Sequence, residues 1–116
     1  MKTKQVVQLL EEIRQEAMGE LDPGRATHLL QNLSALLGNV SSIWIAKEME
    51  YNRYFAKISK EVEKITEARI LAKASLEYQL KLEAEALLNT TNELINSLKY
   101  LVRYKTQEMR NSKYQA

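Results

Sequence analysis

One stretch of the sequence decides the fold: residues 80–101 read LKLEAEALLNTTNELINSLKYL. Its apolar and small residues recur in alternating steps of four and three, at Leu80, Ala84, Leu87, Thr91, Leu94, Leu98 and Leu101. This spacing places one stripe of side chains along one face of an α-helix, as in the seam of a coiled coil. Residues 80–101 therefore predict a long helix that packs against another helix.

A second stripe lies earlier in the chain, at Trp44, Tyr51, Phe55, Ile58, Val62 and Ile65. Between the two stripes the phase slips, and Ser75 is a good residue to cap the start of a helix. We therefore predict a break near Lys73 to Ser75 that joins two long antiparallel helices. The alternative of one continuous helix of about 70 residues stays open, since no Gly or Pro follows Gly38.

The first 38 residues predict two short helices. Apolar residues at three- and four-residue steps indicate a first helix from about Thr3 to Met18. Asp22 and Pro23 then form a start signal for a second helix, and Gly38-Asn39 forms a stop signal. The predicted fold is all-α: one domain over residues 1–116, with two short N-terminal helices (1–38) packed on a long antiparallel, coiled-coil-like helical hairpin (40–112).

The predicted helix lengths leave part of the hairpin uncovered. Helices of about 15 residues span roughly 22 Å, whereas helices of about 33 residues span roughly 50 Å. A hairpin of two helices cannot bury the apolar residues of its far half, namely Val62, Ile65, Ile70, Leu71, Leu76, Leu80 and Leu82. We therefore predict a homo-oligomer, most simply a dimer, with these residues as the interface.

The end of the sequence carries a candidate surface for phosphate or nucleic acid. At 100° per residue, four cations fall within about 80° of one another on a helix, and two tyrosines flank them. The residues are Lys99, Tyr100, Arg103, Tyr104, Arg110 and Lys113. Such a face can grip a phosphate backbone and stack a base or a nucleotide ring. The alternative is a solvated face, because the helix dipole also favours cations near a C-terminus.

The sequence lacks the residue patterns of common catalytic and metal sites. It contains no Cys, one histidine (His28) and no Gly-rich phosphate loop. We therefore predict no enzyme activity, no metal and no cofactor. No signal peptide or membrane-spanning run is predicted either, and we expect a cytoplasmic protein. Trp44, Tyr51, Tyr54 and Phe55 are expected to be core residues, with a partner-binding patch as the alternative.

Three segments carry a resemblance to a known group of proteins. They are AKASLEY (72–78), INSLKY (95–100) and EMRNS (108–112). Over residues 40–112 the chain resembles small all-helical proteins carried by bacteriophages and prophages. The resemblance implies an accessory, non-enzymatic protein of the bacterial cytoplasm. Proteins of this class include host-takeover and anti-defence factors, which act by binding a protein partner. Two alternative functions stay open: nucleic-acid binding in replication or recombination, and the sequestering of nucleotides.

Overall fold

A computed structural model describes residues 2–114, with side chains except at 105, 109 and 111–114. Four helices follow one another: α1 (Thr3–Ala17), α2 (Pro23–Glu61), α3 (Ile65–Lys73) and α4 (Leu76–Tyr114). Residues 2–114 contain no strand, and the prediction of an all-α fold is confirmed. These residues form a rod that measures 76 × 25 × 19 Å.

The rod is built on the pairing of α2 with α4, each of which has 39 residues. Near one end, the ring of Tyr51 lies 5.5 Å from that of Tyr78. Towards the other end, Leu33 of α2 shares a buried cluster with Leu98 of α4. Between these two contacts, residue numbers fall along α4 as they rise along α2.

Helix α1 covers one end of this pair, which we call the proximal end. It buries Val6, Leu10 and Ile13 in the same cluster as Leu33 and Leu98. Packing is tight there, since Val6 and Leu33 are 0% exposed and Leu98 is 1% exposed. The other end of the pair, which we call the distal end, lies beyond α1 and is closed by α3.

Two helix starts form as the sequence predicts. The backbone N–H of Arg25 donates to Oδ1 of Asp22 at 2.8 Å, and Pro23 occupies the first position of α2. The backbone N–H of Tyr78 donates to Oγ of Ser75 at 3.2 Å. Because α3 ends at Lys73 and α4 begins at Leu76, the predicted break near residues 73–75 is confirmed.

The predicted stop at Gly38-Asn39 is wrong, because α2 continues through it to Glu61. No described residue has a positive φ, so Gly38 does not adopt the left-handed conformation of a helix stop. Leu36 and Val40 on either side are buried, and their burial outweighs the roughly 1 kcal/mol that glycine costs within a helix. One short helix therefore precedes the long pair, which starts at Pro23 instead of residue 40.

A second break was not predicted. Helix α2 ends at Glu61, Val62 is extended, and α3 starts at Ile65. The prediction that one helix carries the stripe from Trp44 to Ile65 is therefore wrong at its end, because Val62 and Ile65 lie outside α2. The short α3 can then bury Ala68 and Ala72, both 0% exposed. Their small side chains let its backbone lie close to its neighbours, and apolar spacing in the sequence does not reveal such contacts.

Gly38→Ala should raise the free energy of unfolding by about 0.5–1 kcal/mol in urea denaturation. A Cβ at Gly38 meets nothing within 4 Å, so the gain in helix propensity comes without a clash. The control is Gly24→Ala in the same helix, where the Cβ meets Oδ1 of the Asp22 cap at 3.2 Å and the gain should be smaller. A loss of stability in Gly38→Ala would contradict a continuous α2.

Candidate functional site

Most of the predicted oligomer residues lie at the distal end with their side chains in solvent. The exposed fractions are 53% for Ile65, 69% for Ile70, 45% for Leu71, 64% for Leu76 and 44% for Leu82. Val62 and Leu80 are half-buried. We call the five exposed residues the distal apolar surface. They lie on α3 and the first two turns of α4, away from α1.

The distal apolar surface is not one stripe. Ile70 lies two residues from both Ala68 and Ala72, which places it about 160° away from the buried side of α3. Leu82 stands in the same relation to the buried Ala84 of α4. These two side chains therefore point away from the α2–α4 contact, and no single flat partner covers all five residues.

A groove lies directly beyond the N-terminus of α1, between α2 and α4. Its cavity volume is about 390 Å³. It is lined by Thr3 and Val7 of α1, Ile43 and Lys47 of α2, and Leu80, Glu83, Ala84, Ala86, Leu87 and Thr90 of α4. Of these residues the sequence analysis singled out only Leu80 as an interface residue. The seven-residue step from Leu80 to Leu87 predicts that these two residues share the face of α4 that lines the groove. The contribution of α1 to the groove can be seen only in the tertiary structure.

The aromatic residues of α2 connect it to α4. Trp44, Tyr51, Tyr54 and Phe55 are all half-buried. The Tyr51 ring packs at 6.4 Å from Phe55 and 5.5 Å from Tyr78 of α4. Nζ of Lys81 lies 4.7 Å from the centre of the Tyr51 ring, within the range of a cation–π contact. These contacts are internal to the chain, but none of the four aromatic residues is fully buried, so they lie beside the core and not within it.

The candidate basic face occupies the last part of α4. Lys99, Arg103 and Arg110 are exposed, and Lys113 has its side chain outside the described set. Tyr100 and Tyr104 are 73% and 50% exposed. Their rings stack on each other, with centres 6.5 Å apart and planes 11° apart. The structure thus brings five of the six predicted residues to one solvent-facing region.

An acid lies beside this basic face. A hydrogen bond to Glu108, together with its negative charge, raises the pKa of Tyr104. Because Glu108 follows Tyr104 by one helical turn, it lowers the positive potential on that side of the basic face.

The described residues offer little for metal chemistry. No three His, Cys, Asp or Glu side chains among them are grouped so that they hold a metal ion. His28 is exposed on α2. The predictions of no enzyme activity and no cofactor stay predictions.

Helix α2 has a property that the sequence analysis did not anticipate. Residues 26–46 contain no Asp, Glu, Lys or Arg. By length and composition α2 qualifies as a helix that can cross a membrane, and it alone does so among the described helices. The inner helix of a helical bundle has the same two properties. In this structure Leu29, Leu33 and Val40 of that stretch are buried against other helices of the chain.

No protein-family model, no curated protein and no solved structure matches this chain. The features of the described residues that bear on function are the two exposed surfaces and the groove.

The pKa of Tyr104 should fall towards its ordinary value of about 10 in Glu108→Gln. Loss of a phenol proton beside a carboxylate is disfavoured, and a neutral amide removes that penalty. The measurement is the pH dependence of the Tyr104 ring resonances by NMR. Glu93→Gln, at another exposed acid of α4, is the control and should leave the titration unchanged. Identical titration curves in the wild type and Glu108→Gln would contradict the contact.

Proposed function

We propose that this chain is a non-enzymatic, self-associating helical protein that acts by binding a protein partner. The observation that supports this proposal is the distal apolar surface, with five large apolar side chains each 44–69% exposed. A small soluble protein rarely leaves such residues together in water, and clusters of this kind mark association sites. The proposed scaffold is the α2–α4 pair as an antiparallel, coiled-coil-like hairpin.

The magnitude of this surface fits a modest affinity. Full burial of a Leu or Ile side chain contributes about 1.5–3 kcal/mol. Half-exposed residues gain roughly 1 kcal/mol each, so a contact that covers only part of this surface in each of two copies gains less than about 10 kcal/mol. Association costs about 4–15 kcal/mol in lost freedom of motion. Burial of this surface alone therefore supports a reversible complex, and neighbouring groups must add to it.

We propose a setting in the bacterial cytoplasm, as an accessory factor of a phage or prophage in host takeover or anti-defence. This part of the proposal comes from the resemblance of residues 40–112 to small helical phage proteins. The exposed apolar surface supports a mode of action by binding.

Leu80→Glu and Leu76→Glu should each shift the protein from dimer to monomer at micromolar concentration. Leu80 lines the groove and Leu76 is exposed at the distal end, so a buried charge at either site has no partner. The measurement is sedimentation equilibrium, with circular dichroism to show retained helix. Leu76→Glu is the safer variant, since its side chain is 64% exposed in the single chain.

Asn92→Glu is the matched control, because it adds the same charge at an exposed site of α4 outside the groove. It should leave the dimer intact. A wild-type protein that stays monomeric at tens of micromolar would overturn the proposed self-association.

A second candidate function is nucleic-acid or nucleotide binding at the basic face. The observation that favours it is the stacked, exposed pair Tyr100 and Tyr104 beside Lys99 and Arg103. Exposed aromatic rings provide stacking surfaces for bases, at about 1–3 kcal/mol per base. The cations provide phosphate contacts, which weaken as salt rises because the release of counterions into concentrated salt gains less free energy.

The double variant Arg103→Glu plus Arg110→Glu should abolish binding of a labelled single-stranded oligonucleotide in low salt. Wild-type affinity should fall by roughly one log unit per log unit of salt for each phosphate contact. The measurement is fluorescence anisotropy across a salt series. Glu93→Gln is the control that keeps all cations. An affinity unchanged in the double variant would eliminate the basic face as a nucleic-acid site.

A further inference from the structure

The free part of the α2–α4 pair has a defined start and end. It starts at Ile43, which lines the groove beside Thr3 and Val7 of α1. It ends at Glu61, where α2 stops. At 1.5 Å per residue this segment of α2 is about 27 Å long. Any helical partner that lies along this face must fit between the N-terminus of α1 and the tip of the rod.

A line of side chains runs along α2 through this free segment. Ile43, Glu50 and Lys57 are seven residues apart, which is close to two helical turns, so they lie on nearly the same side of α2. Ile43 is on the groove, and the line leads from the groove to the distal tip. Glu50 and Lys57 are both exposed. The line therefore carries one acid and one base, about 10 Å apart.

We propose that the groove receives the distal tip of a second copy of this chain, in a two-fold dimer in which Glu50 of each copy lies against Lys57 of the other. This inference rests on the proposed self-association and adds its geometry. In a two-fold dimer, if Glu50 of the first copy lies against Lys57 of the second, then Lys57 of the first copy lies against Glu50 of the second. One acid and one base in each copy therefore form two ion pairs across the interface. The two α2 helices then cross antiparallel, midway between these residues.

This register also brings an apolar residue to the groove. In this register α2 of the second copy ends, at Glu61, opposite position 46, about 4.5 Å short of Ile43, so the non-helical residues 62–64 that follow it lie at the mouth of the groove. The next residue, Ile65, starts α3 and is 53% exposed. Ile65 of the second copy is therefore next to the residues that reach the mouth of the groove. The groove, at about 390 Å³, is too small for a helix of three turns, which fills roughly 1,300 Å³, so only protruding side chains fit into it.

The charge of this region favours a second copy over a polyanion. Residues 43–85 contain eight basic and eight acidic residues, so their net charge is zero. Such a surface gives no overall attraction to nucleic acid, and it does not repel its own copy. Glu50 already pairs with Lys47 at 3.4 Å within α2. Exposed pairs of this kind contribute little, so Glu50 can exchange one lysine for another at small cost.

The test uses two charge reversals, Glu50→Lys and Lys57→Glu. Each variant alone places like charges opposite each other twice in the dimer, and its dissociation constant should rise by roughly tenfold or more. An equimolar mixture of the two variants should restore dimerisation to within about threefold of the wild type. In the mixed dimer, Lys at position 50 meets Glu at position 57, and Lys at position 57 meets Glu at position 50.

Mixing separates this contact from effects within one chain, since no intramolecular change is repaired by a second protein. Sedimentation velocity with one labelled variant measures the mixed dimer directly. Asn52→Lys and Asn52→Glu are the controls: Asn52 is exposed on α2 but about 160° away from Glu50. These controls should dimerise like the wild type, both alone and mixed.

The outcomes distinguish this inference from the proposed function. Recovery on mixing supports the two-fold register. A wild-type dimer that Leu76→Glu dissociates, but that Glu50→Lys and Lys57→Glu leave unchanged, overturns the register while self-association stands. Single variants that weaken the dimer without recovery on mixing also overturn it. A monomeric wild type overturns both.

Discussion

The structure depends on the packing of two 39-residue helices whose shared face is covered only in part by a helix of 15 residues. Where α1 is present, three helices enclose a core, and Val6, Leu33 and Leu98 lose almost all contact with water. Where α1 is absent, two helices can shield only the sides that face each other. The exposed apolar residues of the distal end follow from this difference in length.

The two ends of the rod use different residues to pack. The proximal core is rich in leucine, whereas the distal contacts involve Ala68, Ala72 and Ala84 together with the Tyr51–Tyr78 ring contact. Alanine buries little apolar area, so the distal end gains less free energy from burial per residue. Regions with few buried apolar contacts open more readily, and they are also where proteins most often accommodate partners. The same composition therefore explains a weaker distal end.

The sequence predicted what local chemistry controls. Asp22 and Ser75 cap helices because their side-chain oxygens can accept backbone N–H groups, and this holds in any tertiary context. Gly38 does not end the helix as predicted, because the free energy it costs within a helix is small compared with the free energy gained by burying Leu36 and Val40. Of the seven distal residues that length and apolar spacing predicted to be uncovered, five are exposed, whereas Val62 and Leu80 are half-buried. The different directions of Ile70 and Leu82, and the α1 wall of the groove, depend on tertiary packing that spacing does not record.

The two candidate surfaces differ in position and in electrostatics, so each responds to salt in its own way. Lys99 follows Leu76 by 23 residues, which separates them by about 35 Å along α4. Attraction between the basic face and phosphates weakens as salt rises, and Glu108 already reduces it. Burial of the distal apolar surface does not weaken in this way, because it depends on removing apolar area from water. High salt should therefore remove from the dimer only the contribution of the exposed Glu50–Lys57 ion pairs, whereas it should remove most of the binding of phosphates at the C-terminal part of α4.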